Sequence, residues 1–242
     1  MKPCITCHEK PTKNGIYKAH LEHFVEKQLP KTNTHYHNKD GFKFHMNNLK
    51  PDTCIFYFST LHRDFTKSIQ MREKAYGKLE NSGVSKTNSD GKVTFYLECP
   101  QLYMNDDGKV YSRHVHFLYW NSKSLDWNMN LYTTEILCEV DKEYIVKQMK
   151  KKDVILVDAR KEDVFLKKHM TGAISLPYDK KWNEETVLEE ISNVYKKYDG
   201  NKLIPIIIYC EKKCKKGYLV FKRLNKLGFY NTMHYENCSA DF

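Results

Sequence analysis

Arginine is scarce in this chain. Only five of its 40 basic residues are Arg (Arg63, Arg72, Arg113, Arg160 and Arg223), although the formal net charge is +10. Nucleic-acid readers favour Arg, whose planar fork grips phosphates and base edges bidentately. A Lys excess spread through a chain rich in Asn, Ile and Tyr reads as solvated surface, which argues against nucleic acid as a partner. Long apolar runs are missing as well. No window of about eighteen apolar residues occurs, so no transmembrane helix is expected. Residues Met1–Lys13 contain no apolar core of a secretory signal, so the cytoplasm is the expected compartment. There, eight cysteines do not read as a disulfide scaffold. Most are expected as free thiols, metal ligands or reactive groups.

What is present is apolar and aromatic side chain, 40% and 13% of residues, enough for folded cores. Three segments follow from the pattern. Residues 1–48 are polar, with two Cys and six His. Residues 49–140 read as an all-β, sandwich-like domain. Its β-branched and aromatic runs are Cys54–Ser59, Lys92–Cys99 and Val110–Tyr119, and Asp90-Gly91 before the second is a hairpin signal. From Asp141 to Phe242 strands alternate with helices, which predicts a parallel sheet flanked by helices. Helices are expected over Lys142–Lys150, Glu162–Lys168, Glu184–Tyr198 and Tyr218–Leu227, with Gly228 closing the last. Strands are expected at Val154–Asp158, Ala173–Leu176 and Leu203–Tyr209.

Chemistry in open α/β sheets sits at the carboxyl ends of strands. The most apolar strand ends at Tyr209, and Cys210 follows it. The segment Glu211-Lys212-Lys213-Cys214-Lys215-Lys216-Gly217 then leads into a helix. A thiol there meets backbone N–H groups, the positive end of a helix dipole and four ammonium groups. All of these favour thiolate over thiol, and they favour an anionic substrate such as thiosulfate, persulfide, arsenate or phosphate. The bland alternative is an inert Cys at a strand end.

Four blocks in order carry a family resemblance: Val154-Ile-Leu-Val-Asp158-Ala-Arg160, His169-Met-Thr-Gly172-Ala173-Ile-Ser-Leu-Pro177, Ile206-Ile-Ile-Tyr-Cys210, and Leu227-Gly228-Phe229. Together, over about Asp141–Phe242, they resemble the rhodanese homology domain. The resemblance implies a sulfurtransferase in which Cys210 carries sulfane sulfur as a persulfide from a small anionic donor to a thiol acceptor. No cofactor is required for that transfer. Substrate binding would fall to Glu211, Lys212, Lys213, Lys215 and Gly217 of the loop, with Arg160; Asp158 and Arg160 would also tie the active-site side of the sheet together. The loop departs from the sulfurtransferase pattern, having no Arg. If Gly217 starts the helix, its length resembles the C-x5-R loop of rhodanese-fold phosphatases and arsenate reductases, with Lys216 where their Arg sits. Lys is a point charge that cannot grip phosphate bidentately. Cys214 could resolve a persulfide or sulfenic acid as an intraloop disulfide. A third alternative is a non-catalytic binding module with a metal-binding β domain.

The candidate metal is Zn or Fe. His114 and His116 lie two apart on a predicted strand and so share a face. With Tyr103 and Tyr111, and the Asn81–Phe95 and Cys99–Tyr103 stretches, they resemble the two-Tyr, two-His iron set of the intradiol-dioxygenase β-sandwich; dioxygenase activity is not carried over. In the N-terminal segment Cys4, Cys7, His20 and His23 approach zinc-finger spacing. Cys4-x2-Cys7-His8 also has c-type haem spacing, against which the expected lack of export stands.

Overall fold

The computed structural model describes residues 2–3, 12–13, 25, 27–37, 39, 41–151, 154–196, 198–211 and 215–236. They gather into two compact units, one of residues 2–64 with 69–136, the other of residues 65–68 with 137–242. Cys4, Cys7, His20, His23, Lys212, Lys213 and Cys214 lie outside the described residues. Among the described residues, no helix is long and apolar enough to cross a membrane.

The first unit is mostly antiparallel. Its elements are β1 (Lys2–Pro3), β2 (Thr12–Lys13), β3 (Phe42–Met46), β4 (Cys54–Ser59), β5 (Gln70–Met71), α1 (Arg72–Tyr76), β6 (Ser82–Lys86), β7 (Val93–Leu97), β8 (Tyr103–Met104), β9 (Val110–Tyr111), β10 (His114–Asn121) and β11 (Asp126–Glu135). Strands β2, β11, β10, β4 and β6 form one sheet in that order, and β3 pairs with β7 in another. Period-two alternation assigns the faces. Tyr57 and Phe117 turn one way, where Phe95 of β7 stacks on Tyr57 at 4.2 Å and meets Phe117 at 5.9 Å. Phe56, Phe58 and Leu118 turn the other way into a cluster with Tyr76, Tyr103, Trp127 and Leu131. Both faces are covered, so Ile55–Ser59 of β4 are all buried.

The Asp90-Gly91 turn forms, with Asn88 Oδ1 accepting from Asp90 N and Lys92 N. It does not make a hairpin ladder. Strand β6 pairs with β4 and β7 with β3, so the turn carries the chain from one sheet to the other. Gly91 adopts φ +70°, and an added Cβ would fall 2.3 Å from the Leu49 carbonyl oxygen. Close backbone approach, as well as turn type, selects glycine here.

The second unit follows as β12 (Cys138–Glu139), α2 (Lys142–Lys151), β13 (Ile155–Asp158), α3 (Glu162–Lys167), β14 (Ala173–Ser175), α4 (Glu184–Val194), β15 (Ile206–Tyr209), α5 (Lys216–Lys226) and β16 (Thr232–Tyr235). Strands β12, β16, β15, β13 and β14 are neighbours in that order, each pair parallel. Helices flank this sheet, as the alternating pattern predicts. Local signals set the helix ends. Asn183 Oδ1 accepts from Thr186 N at 2.9 Å to start α4, with Glu184 and Glu185 in its first turn. After α5, Gly228 at φ +91° donates to Asn225 O, and Phe229 N reaches back to Leu224 O. That pair of bonds is the Schellman motif. Helix α4 is shorter than expected, because Tyr195 leaves helical geometry (φ −104°, ψ 80°). Its hydroxyl accepts from Leu156 N at 3.0 Å and donates to the Gly172 carbonyl at 3.1 Å.

Candidate active site

Strand β15 is sealed from water along its whole length, from Ile206 to Tyr209, and it delivers Cys210, also fully buried, at its carboxyl end. Helix α5 begins at Lys216 with Lys215 as N-cap, no side-chain cap bond and no acidic residue in its first turn. No carboxylate within that turn offsets the positive end of the helix dipole. Beside it, β16 runs parallel and ends with His234 and Tyr235, in register with Ile208 and Tyr209. His234 is fully buried. Its Nε2 lies 3.3 Å from Cys210 Sγ, and the Glu211 carbonyl oxygen lies 3.4 Å from the same sulfur. The approach depends on Gly217 in the first turn of α5. A Cβ there would stand 2.6 Å from His234 Nε2, 2.7 Å from its Cδ2 and 3.5 Å from Cys210 Sγ.

The adjacent strand β13 ends at Asp158, which is wholly buried. Arg160 Nε donates to both Asp158 oxygens, at 3.0 and 3.1 Å, and Arg160 Nη2 donates to Oδ2 at 2.6 Å and to the Lys168 carbonyl at 2.7 Å. The guanidinium also lies 5.7 Å from the centre of the Tyr209 ring. Tyr209 Oη in turn accepts from Met170 N at 3.2 Å. One charged pair thus ties the ends of β13 and β15 to the segment before β14. At the start of α5, Lys216 Nζ donates to Glu211 Oε2 at 2.7 Å and sits 5.0 Å from the Tyr178 ring centre. Lys215 is exposed.

The model of the rhodanese-like domain family matches residues 141–239. This part of the chain is a rhodanese-like domain. Similar solved structures include the human single-domain sulfurtransferase TSTD1, 13% identical, covering 40% of this chain and 88% of that one, with a TM-score of 0.33. An uncharacterised protein from Saccharomyces cerevisiae is 21% identical over 41% of this chain and 85% of that one, with a TM-score of 0.33. SseA from Escherichia coli, described as a 3-mercaptopyruvate sulfotransferase with the rhodanese fold, is 17% identical over 43% of this chain and 41% of that one, with a TM-score of 0.30. No curated protein matches the sequence.

Within the rhodanese-like domain, Cys210, Glu211, Lys216 and Gly217 come together at the end of β15. Arg160 faces Asp158 and the Lys168 carbonyl. His169, from the second sequence block, is exposed, stacks on Phe165 at 4.0 Å and bonds its carbonyl. The expectation of mostly free thiols needs correction. Cys210 is disulfide-bonded, as are Cys99 and Cys138, while Cys54 is free. Sequence spacing cannot show which sulfurs the fold brings within bonding distance. His234 went unnoticed in the sequence, where it stands 24 residues from Cys210. The short strand Thr232–Tyr235, buried throughout and ending level with Tyr209, is the signal that could have exposed it.

Outside the rhodanese-like domain, the expected His pair does converge. His114 Nε2 and His116 Nε2 are 2.9 Å apart, and both residues are buried. His114 Nδ1 donates to the Ser112 carbonyl at 2.5 Å, which leaves its Nε2 as an acceptor. Tyr76, which the sequence did not single out, places its hydroxyl 3.2 Å from that Nε2. His116 Nδ1 pairs with Thr133 Oγ1 at 2.7 Å. Tyr103 lies edge-on to His114 at 5.5 Å and stacks on Tyr111 at 5.0 Å, and the Tyr111 hydroxyl accepts from Asn105 Nδ2 at 3.4 Å. Burial lowers the His114 pKa to about 4 and holds that of His116 well below the usual imidazole value, with His114 as a further depressing neighbour. Among the described residues, no group of three or more His, Cys, Asp or Glu side chains forms a metal cage.

Proposed function

We propose that the rhodanese-like domain is a sulfurtransferase and that Cys210 is its nucleophile. The observation that carries this reading is the position of the Cys210 sulfur, at the carboxyl end of β15 and beside an α5 N-terminus that lacks acidic residues. In the reduced chain the Cys210 thiolate attacks the outer sulfur of an anionic donor such as thiosulfate. A Cys210–sulfur bond forms, the donor S–S bond breaks, and sulfite leaves with the electron pair. A thiolate acceptor then attacks the outer persulfide sulfur and departs as its own persulfide, restoring the Cys210 thiolate. The α5 amides, with Lys215 at its N-cap, offset the charge. Because Cys210 is disulfide-bonded, a thiol reductant must first release it.

Phosphoryl or arsenate chemistry is the weaker alternative. Lys216, in the position of the phosphatase Arg, already pairs with Glu211 at 2.7 Å, so a phosphate would have to compete with that carboxylate. The test is sulfite release from thiosulfate by the reduced full chain, with mass spectrometry of the Cys210 peptide. A gain of one sulfur atom and loss of turnover in Cys210→Ser are expected. Undiminished turnover in that variant would rule the reading out.

A second reading attaches to His114 and His116, as ligands of Zn or Fe. It is favoured by two facing Nε2 atoms whose Nδ1 atoms are both held by oxygen partners, the support a metal-bound imidazole needs. Elemental analysis of the full chain and of His116→Ala decides it: metal present in the first and absent from the second is expected, and a metal-free parent refutes it.

A further inference from the structure

We propose that His234 is a second catalytic residue, the proton partner that keeps reduced Cys210 as a thiolate. The proposal rests on the sulfurtransferase reading for its biological use, but its geometry stands apart from any substrate.

The His234 imidazole is fully buried, and its Nε2 is 3.3 Å from Cys210 Sγ, the atom that would react. A disulfide sulfur carries no proton to share with Nε2, and reduction supplies one. Reduction of the disulfide by a dithiol or phosphine adds two electrons and generates a thiol at Cys210. Its proton then has two destinations. It can stay on sulfur and face the Glu211 carbonyl oxygen at 3.4 Å, or pass to His234 Nε2 and leave a thiolate–imidazolium pair. Charge-assisted hydrogen bonds are about twice as strong as neutral ones. The α5 N-terminus adds positive potential on the thiolate side.

The charged groups on the surrounding elements do not reverse this balance. Glu139 of β12 is the register partner of His234 and favours an imidazolium. Glu211 is neutralised by Lys216, while Lys215 at the N-cap of α5 favours the thiolate. Gly217 is part of the device, since any larger residue would push into the imidazole. Through the transfer cycle His234 keeps its proton, facing first the thiolate and then the persulfide anion; the proton of the acceptor thiol goes to solvent.

The experiment follows alkylation of the Cys210 peptide by iodoacetamide in the phosphine-reduced full chain, from pH 5 to 10, by mass spectrometry. His234→Gln is expected to move the midpoint of reactivity upward by about one unit or more and to slow alkylation at pH 6 about tenfold, with little change at pH 10. Superimposable profiles overturn the proposal. A buried substitution can disturb folding, so the parent chain supplies a second measurement. Nitrogen NMR shifts of His234 at neutral pH should turn to the imidazolium pattern on reduction, and should not in reduced Cys210→Ser. A neutral ring in the reduced parent overturns the proposal. Neither readout involves sulfur transfer, so failure of thiosulfate turnover with a persisting imidazolium would sink the sulfurtransferase reading alone.

Discussion

Asp158 holds the Arg160 guanidinium through both of its carboxylate oxygens, and both side chains are withdrawn from water, at 0% and 10% exposure. The same carboxylate accepts from Arg160 N at 2.9 Å, which bends the chain sharply after β13. Removing one member of a buried pair strands the other charge, at a cost of about 3–5 kcal/mol. Asp158→Ala should lower the urea midpoint of the rhodanese-like domain accordingly. Asp158→Leu combined with Arg160→Leu should cost clearly less than the two single changes added together. Additive losses would show that the pair is not coupled.

The paired imidazoles of the β-rich unit set an acid limit on its stability. His114 titrates at about 4 in the folded chain and near the ordinary 6.5 when unfolded, and His116 is shifted the same way. Between those values the unfolded chain binds the extra proton, so stability falls as pH is lowered from 6.5 toward 4. The slope is about 1.4 kcal/mol per pH unit for each histidine. Denaturation midpoints measured by tryptophan fluorescence across that window should fall in the parent and fall about half as steeply in His116→Gln. A pH-independent midpoint in the parent would contradict the neutral, buried pair.

Two glycines separate crowding from backbone strain. Gly217→Ala places a methyl group 2.6 Å from a fully buried imidazole, and overpacking of that kind costs about 1–3 kcal/mol. Gly172→Ala has nothing within 4 Å and meets only the strain of φ +79°, roughly 1–2 kcal/mol. Only the first should also change the alkylation rate of Cys210. An effect of Gly172→Ala on that rate would show that the readout reports general loosening.

Tyr195→Phe removes the oxygen that accepts from Leu156 N and donates to the Gly172 carbonyl. Leaving those backbone groups without it should cost about 1–3 kcal/mol. Hydrogen exchange of the Leu156 amide should accelerate by more than that of Ile207 on the neighbouring strand. Equal acceleration would indicate global destabilisation instead.

The architecture of the rhodanese-like domain is legible in the sequence because its strands are buried on both faces. Ile206–Tyr209 reads as an unbroken apolar run and Ile155–Asp158 as one that ends in Asp, while Asn183 and Gly228 bracket helices by capping chemistry. Strands with mixed faces were harder to see. In β11 Trp127 and Leu131 are buried while polar Asn128 and Asn130 intervene, and in β3 Lys43 and His45 alternate with buried Phe44 and Met46. The sequence pattern carries α4 on to Tyr198 because nothing local announces that the Tyr195 hydroxyl will leave the helix for a strand amide. Cys210 was visible through its position after the strongest strand. Its imidazole neighbour was not, since parallel strands bring distant residues into register and short-range spacing carries no trace of that. The His114–His116 pair was visible for the opposite reason, as strand alternation fixes a shared face within three residues.

The strand order has one more consequence. From β13 the crossover through α3 travels outward to β14, and from the adjacent β15 the crossover through α5 travels the opposite way to β16. Two connections that part company above neighbouring strands make the carboxyl ends of β13 and β15 the switch point of the sheet. The place of the Cys210 sulfur is therefore inherited from connectivity. Transplanting a loop of different length or charge between Glu211 and Gly217 should leave that sulfur where the sheet has put it.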